Sequence, residues 1–459
     1  MQQLPSIHLA HQAGRRGETN HDIHPGGILS KVFQTLDRAD ISYCVLHGYE
    51  TFPDIVDSDV DCLIDAKISA RQLLKLFDEN CEDIGAEVVH CRERYMVLAG
   101  RRTDGSHCFV TLDVAAHCEV DKVRYFDGNQ ILATRRRQGD FWIPAASMEF
   151  AAYLTKTILR GDIDPKRAKR LSNVYRQDPK GCAKQIAVFW RPESARLLTD
   201  AADSANWDEV RLHVNRFGTE LRLKGGWSRP FAFIANKVRT WRDRAARFYS
   251  PDGISVIFLG PDGAGKSSII STLASRMRVV FPRYDCRGFA PGILNAFRKG
   301  NHNTDTPHAL KPRSLWVSVA RVGYWFVCNT YSYLNLRAEL ARSTLLMHDR
   351  GFVDILVDQK RYRYGGPIWM LRILWWLAPK PDLVILLDAA PEVLQKRKQE
   401  VPLEVTARQR HAYLELVRAM SNGRTVNATA PLSRVADDVT EMMLHHLRSR
   451  LARRFELSR

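Results

Sequence analysis

"GPDGAGKSS", residues 260–268, decides how the C-terminal half of this chain folds. It fits the pattern G-x-x-x-x-G-K-[ST], with Gly260, Gly265, Lys266 and Ser267 at the fixed positions. Glycines let successive backbone N–H groups curl around phosphate oxygens without Cβ clashes. The Lys266 ammonium is placed to reach β- and γ-phosphates, and the Ser267 hydroxyl to coordinate Mg²⁺. Gly263, Ala264 and Ser268 complete the expected cradle. The flanks agree. "ISVIFLG" (254–260) reads as a buried strand. "KSSIISTLASRMRVVF" (266–281) reads as a helix whose positive dipole end faces the phosphates. The pattern predicts a loop that binds ATP and Mg²⁺.

Working outward, "STLLMHDRG" (343–351) and "PDLVILLDAAP" (381–391) are two more apolar runs that end in polar clusters. Strands alternating with helices predict an α/β fold, a parallel sheet with helices on both faces. "VRTWRDRAARFYSPDG" (238–253) is basic and then breaks at Pro251 and Gly253, which marks a boundary near 250.

Upstream, residues 1–26 read as a polar tail. Residues 27–146 read as a small α+β unit. It has helical spacing in "GILSKVFQTLDRADI" (27–41) and "RQLLKLFDENCEDIG" (71–85), and strands in "SYCVLHG" (42–48), "DVDCLID" (59–65) and "CFVTLDVAAH" (108–117). Residues 147–250 turn helical and lead into a linker, and 251–459 hold the loop-bearing unit.

The 459 residues carry a net charge of +17, with 45% apolar and 26% charged residues. That balance fits a folded chain with anionic partners: nucleotides, lipid headgroups or nucleic acid. No specific nucleic-acid motif accompanies it. Nine scattered cysteines include no C-x-x-C pair, which speaks against a disulfide framework or zinc knuckle and for reduced thiols in a cytoplasm. No apolar leader or run of about 18 uncharged apolar residues occurs. His47, His90, His107 and His117 lack metal-ligand spacing.

Four features make the C-terminal half resemble the thymidylate kinase branch of the nucleoside monophosphate kinases. They are Asp262 inside the loop followed by Gly263, "HDRGFVD" (348–354), "PDLVILLDAAPEVLQKRKQE" (381–400), and the basic residues Arg397, Lys398, Arg408 and Arg410. The resemblance implies that Asp262 and Arg350 face the acceptor nucleotide. It implies that Asp349 joins Ser267 at Mg²⁺, and that lid arginines, Arg397, Arg408 or Arg410, neutralise the transferring phosphoryl group. It also implies a homodimer. The loop lacks the arginine that some members carry after the acid. In "GFAPGILNAFRKGNHNTDTPHALKPRSLW" (288–316) the family's thymine-contacting pattern is not evident.

"KRYRYGG" (360–366) and "PIWMLRILWWLAPK" (367–380) are unusual for that family. The second is read as a core helix of the kinase fold or as a helix resting on a membrane interface. Similar kinase-like domains accompany surface polysaccharide and glycolipid assembly, so a sugar, glycan or glycolipid acceptor stands beside dTMP. A third reading takes ATP as a regulatory ligand of a protein that binds nucleic acid or a membrane.

In the N-terminal half, "VLHGYETFPDIVDSDVDCLID" (45–65) resembles the polymerase-β type of nucleotidyltransferase. A turn at Gly48 follows a strand, Asp59 and Asp61 flank Val60, and Asp113 lies on a later strand. Alternation along a strand points Asp59 and Asp61 to one face. The resemblance implies that the three acids bind Mg²⁺, with a sugar phosphate, nucleotide, protein side chain or amine as acceptor. Tyr49 stands where the family has a small residue and is expected to crowd the triphosphate.

Overall fold

The structure is a computed structural model that describes residues 23–46, 48–56, 59–120, 123–226, 241–242, 244–288, 313–398 and 402–457. The tail assigned to 1–26 falls mostly outside these residues, and the helix Pro25–Arg38 already starts within it. Ile28, Leu29, Val32, Phe33 and Leu36 form the buried stripe of that helix, at the expected helical spacing.

A five-stranded sheet follows, in the order β1-β2-β5-β4-β3: β1 is Tyr43–Val45, β2 Val60–Ile64, β3 Glu87–Arg92, β4 Tyr95–Arg101 and β5 His107–Ala115. β2 runs parallel to β5, and the other neighbours are antiparallel. The β3–β4 hairpin is the part the apolar pattern did not reveal, because charged Glu93 and Arg94 interrupt it. Two short ribbons, β6–β7 (Cys118–Val120, Val123–Phe126) and β8–β9 (Arg136–Gln138, Phe141–Ile143), carry the chain into the helical unit. Six helices from Ala146–Arg160 to Val214–Gly226 close around Phe150, Leu154, Leu171, Trp207, Phe217 and Leu221.

The second sheet is parallel throughout, in the order β11-β12-β10-β13-β14: β10 is Ile254–Leu259, β11 Arg283–Gly288, β12 Thr344–Asp349, β13 Leu383–Asp388 and β14 Gly423–Asn427. β10 sits at its centre, so the loop after it opens at the carboxyl edge of the sheet, where strand order reverses. Ligands bind at that position in open α/β sheets. β10 and β13 are buried on both faces, which explains their unbroken apolar runs.

The two halves share a core. One face of the helix Leu432–Phe455 presents Val435, Val439, Met443 and Leu447 to the second sheet, in a cluster that also takes in Val89, Val97 and Ala99 of the first sheet. Its end delivers Leu451 and Phe455 to the first sheet's own core. Each such buried apolar side chain contributes about 1.5–3 kcal/mol. His90 lies in this seam, its ring edge-on to Phe281 at 5.9 Å.

The helix Ile368–Leu377 corrects the expectation of a core helix for the Trp-rich segment. Only Leu371 is buried, whereas Ile368, Trp369, Ile373, Trp376 and Leu377 are exposed. Among the described residues no helix is long and apolar enough to cross a membrane.

Burial lowers the pKa of both His90 and His348 to about 4. Both are neutral when folded, while the unfolded chain binds a proton at each below about 6.5. Stability is therefore full above pH 6.5 and falls as pH drops from 6.5 toward 4, by roughly 3 kcal/mol per histidine. Urea unfolding between pH 7 and 4.5 should show this loss, and His90→Gln should flatten part of it.

Candidate functional site

The loop between β10 and the helix Lys266–Arg276 turns through three left-handed glycines: Gly260, Gly263 and Gly265, with φ of 145°, 84° and 88°. At Gly260 a Cβ would meet the Leu387 carbonyl oxygen at 2.8 Å, so the tight approach to β13 itself demands glycine. Gly265 caps the helix, and no side chain bonds its first amides. Those N–H groups are left for an anion.

Lys266 is buried, and its Nζ donates to the carbonyl oxygens of Gly260 (2.9 Å) and Pro261 (3.0 Å). Burial, and then the nearby Arg350 charge, lower its pKa to about 8. The Ser267 hydroxyl donates to Asp349 Oδ2 at 3.2 Å. Asp349 Oδ1 is buried without a hydrogen-bond partner. A buried carboxylate oxygen left bare beside a serine hydroxyl is the donor set Mg²⁺ takes next to a phosphate.

Asp262 is clamped by two arginines. Arg350 Nη2 donates to Oδ1 at 2.5 Å and Arg361 Nη1 to Oδ2 at 2.6 Å. Arg350 holds a left-handed backbone conformation (φ 69°) directly after β12. Its other nitrogen donates to the fully buried Asp354 at 2.8 Å. The hydroxyls of Tyr362 and Tyr413 donate to the same Asp354 carboxylate. Removing one partner of such a buried pair costs about 3–5 kcal/mol, so the strained Arg350 backbone is held firmly. Arg361, Tyr362 and Tyr413 escaped the motif reading, and Asp354, the last residue of "HDRGFVD", was given no role in it. "KRYRYGG" signalled Arg361 and Tyr362 by its composition, though not where it would fold.

The lid arginines are distributed differently from one another. A Cβ at Gly263 would lie 3.3 Å from Lys398 Cβ and 3.5 Å from Arg397 Cβ, so these two border the loop. Arg397 Nη1 donates to the Ala428 carbonyl oxygen. Arg410 is held bidentately by Asp388, at 2.6 and 2.8 Å. Arg408 is exposed on the helix Leu403–Arg418.

In the N-terminal half, Asp61 and Asp113 are direct partners across the parallel strands β2 and β5. Lys156 Nζ lies 3.4 Å from Asp61. Asp113 is raised above the ordinary carboxylate value, by partial desolvation and then by the Asp61 charge. Asp59 accepts the Thr111 hydroxyl at 2.6 Å. Among the described residues no three His, Cys, Asp or Glu side chains gather closely enough to hold a metal ion. Tyr49, expected to crowd the triphosphate, turns inward. It is buried, and its hydroxyl donates to Glu149 at 2.5 Å, beside Arg170. A cleft of about 140 Å³ lined by Tyr153, Lys156, Thr157, Arg160 and Arg167 adjoins this half.

Among characterised proteins, the chain is 26% identical over 187 residues to the tRNA modification GTPase MnmE of Sphingopyxis alaskensis. The match covers 40% of this chain and 41% of that protein, so the chain spans less than half the length of its relative. No family model matches the chain. The parallel sheet, the glycine loop and the helix whose first amides no side chain bonds together form a P-loop nucleotide-binding fold.

A lysine at this position attracts phosphate only in its protonated form. Nucleotide affinity should be constant below pH 8 and weaken as pH rises past it, with proton uptake on binding. Fluorescent-nucleotide titrations from pH 7 to 9.5 measure this. Lys266→Ala should bind weakly at every pH while keeping the wild-type circular dichroism spectrum.

Proposed function

We propose that this protein is a phosphotransferase that moves the γ-phosphoryl group of ATP to the hydroxyl or phosphate oxygen of an acceptor seated against Asp262, with a nucleoside monophosphate such as dTMP as the favoured acceptor. The observation that carries this is the Asp262 clamp. A loop that needs only to hold and hydrolyse a triphosphate gains nothing from a carboxylate beside the phosphates. A transferase gains an acceptor for hydrogen bonds from sugar hydroxyls, and two arginines beside it that suit an acceptor phosphate.

Phosphoryl transfer needs positioning and charge neutralisation more than covalent help. Lys266 and the loop amides hold the donor phosphates. Ser267 and Asp349 are the residues that would hold Mg²⁺, which when bound offsets phosphate charge. Arg361, less buried than Arg350, is free to exchange part of its bond with Asp262 for the acceptor. Arg350 keeps Asp262 oriented. Arg397 and Lys398, bordering Gly263, stand where added positive charge steadies the group in flight.

A sugar, glycan or glycolipid acceptor is the second reading. It is favoured by "KRYRYGG", which supplies Arg361 to the acceptor side and runs directly into the exposed Trp-bearing helix.

Full-length protein with Mg·ATP and a panel of dTMP, other nucleoside monophosphates and sugars, read by mass spectrometry, tests the proposal. A nucleoside diphosphate should form and vanish in Lys266→Ala. Arg361→Ala should raise the acceptor KM about 10- to 100-fold, the value of one charge-assisted contact, while the ATP KM changes little. ADP and inorganic phosphate as the sole products with every acceptor would contradict it.

A further inference from the structure

The exposed face of the helix Ile368–Leu377 is not used by the phosphoryl-transfer site. Ile368, Trp369, Arg372, Ile373, Trp376 and Leu377 recur at spacings of one, three and four, which puts them on one half of the helix. Trp369 is 63% exposed and Trp376 76%. The face does not end with this helix. The helix Leu315–Leu340 begins beside it. Gly365 N donates to Ser318 Oγ at 3.0 Å, and Arg313 N to the Arg363 carbonyl oxygen at 3.2 Å. Trp325 meets Tyr362 edge-on at 6.0 Å. That start carries Leu315, Val317 and Trp316, the last 79% exposed. Three outward tryptophans set among aliphatic side chains, at one corner of the fold, exceed what scattered surface apolars explain.

Charge identifies what covers this corner. No carboxylate occurs between Asp358 and Asp382; apart from Arg361, which holds Asp262, the stretch carries Lys360, Arg363, Arg372 and Lys380. The helix Leu315–Leu340 has no carboxylate before Glu339, and Arg313 and Arg321 lie at its start. Lys380 Nζ lies over the Trp375 ring at 3.7 Å, so its charge rides on an aromatic face at the rim of the patch. We propose that this corner docks onto an anionic lipid bilayer surface, the tryptophans entering the headgroup–acyl boundary and the basic side chains meeting lipid phosphates. A second copy of the chain would bring like charges together, against a net charge of +17. A nucleic acid would leave Ile368, Ile373, Leu377 and Val317 against a wet, polar surface. The helix is too short to span a bilayer but suits lying along one. The inference does not depend on which acceptor the site phosphorylates.

Flotation of the full-length protein with phosphatidylcholine vesicles, and with vesicles containing about 30 mol% phosphatidylglycerol, tests it. The wild type should float with the anionic vesicles and much less with the neutral ones. Trp369→Ser/Trp376→Ser should lower the partition at least about tenfold, and Arg372→Glu should lower it less, with nucleotide binding unchanged in both. Equal partition of wild type and the double-tryptophan variant would overturn the proposal, as would no partition of either. So would a wild-type dimer that the double variant turns into a monomer in sedimentation velocity. Single-stranded DNA binding lost in that variant, without lipid binding, would overturn it too.

Discussion

A carboxylate inside a phosphate-binding loop must be neutralised or it repels the ligand the loop exists to hold. Asp262 is such a carboxylate, and much of the C-terminal half is arranged around its neutralisation. Arg350 supplies one charge and Arg361 the other. Arg350 is itself buried, so it requires a second anion, which Asp354 provides from the 3₁₀ turn Phe352–Leu356. Asp354 in turn takes hydroxyl groups from Tyr362 and from Tyr413 on the helix Leu403–Arg418. One loop acid thereby fixes the end of β12, the turn after it, the "KRYRYGG" segment and a helix about 150 residues downstream in the chain. Arg350 also helps hold the Lys266 pKa down, which couples the Asp262 clamp to the loop lysine electrostatically.

The P-loop, its strand and its helix were legible because each rests on local chemistry: glycines at left-handed positions, a lysine at fixed spacing, an unbroken apolar run. β12 and β13 were legible for the same reason. β11 and β14 were not, because as edge strands they are half solvated and carry Arg283, Arg287 and Arg424 among their residues. Of the partners of Arg350, Tyr413 was illegible because it is 63 residues away, and Asp354, though four residues on and inside "HDRGFVD", carries no local sign that it turns back to the arginine. The Trp-rich helix defeated the apolar pattern for a different reason. Hydrophobicity says that a segment avoids water but not whether protein or something else covers it. In the first half, the strand positions of Asp61 and Asp113 were legible. The inward turn of Tyr49 toward Glu149 was not, since nothing local announces a buried acid a hundred residues away.

The fusion of the two halves is more than a linker. The helix Leu432–Phe455 packs against both sheets, and Arg454 pairs with Asp252 at the foot of β10 while Arg448 pairs with Glu87 on β3. The acidic pair Asp61–Asp113 and the P-loop therefore belong to one packed body. The segment that brings Arg361 to Asp262 runs directly into the exposed tryptophan corner, so the two proposed sites would share one stretch of chain.

The central claim is that the γ-phosphoryl group leaves for an acceptor rather than for water. Turnover of Mg·ATP in ¹⁸O-water with the acceptor found active, followed by mass spectrometry of the phosphate products, tests it most directly. The account predicts that the phosphorylated acceptor carries no label and that little labelled inorganic phosphate forms. Labelled inorganic phosphate at the rate of ADP release, with the acceptor unchanged, would show a hydrolase and contradict it.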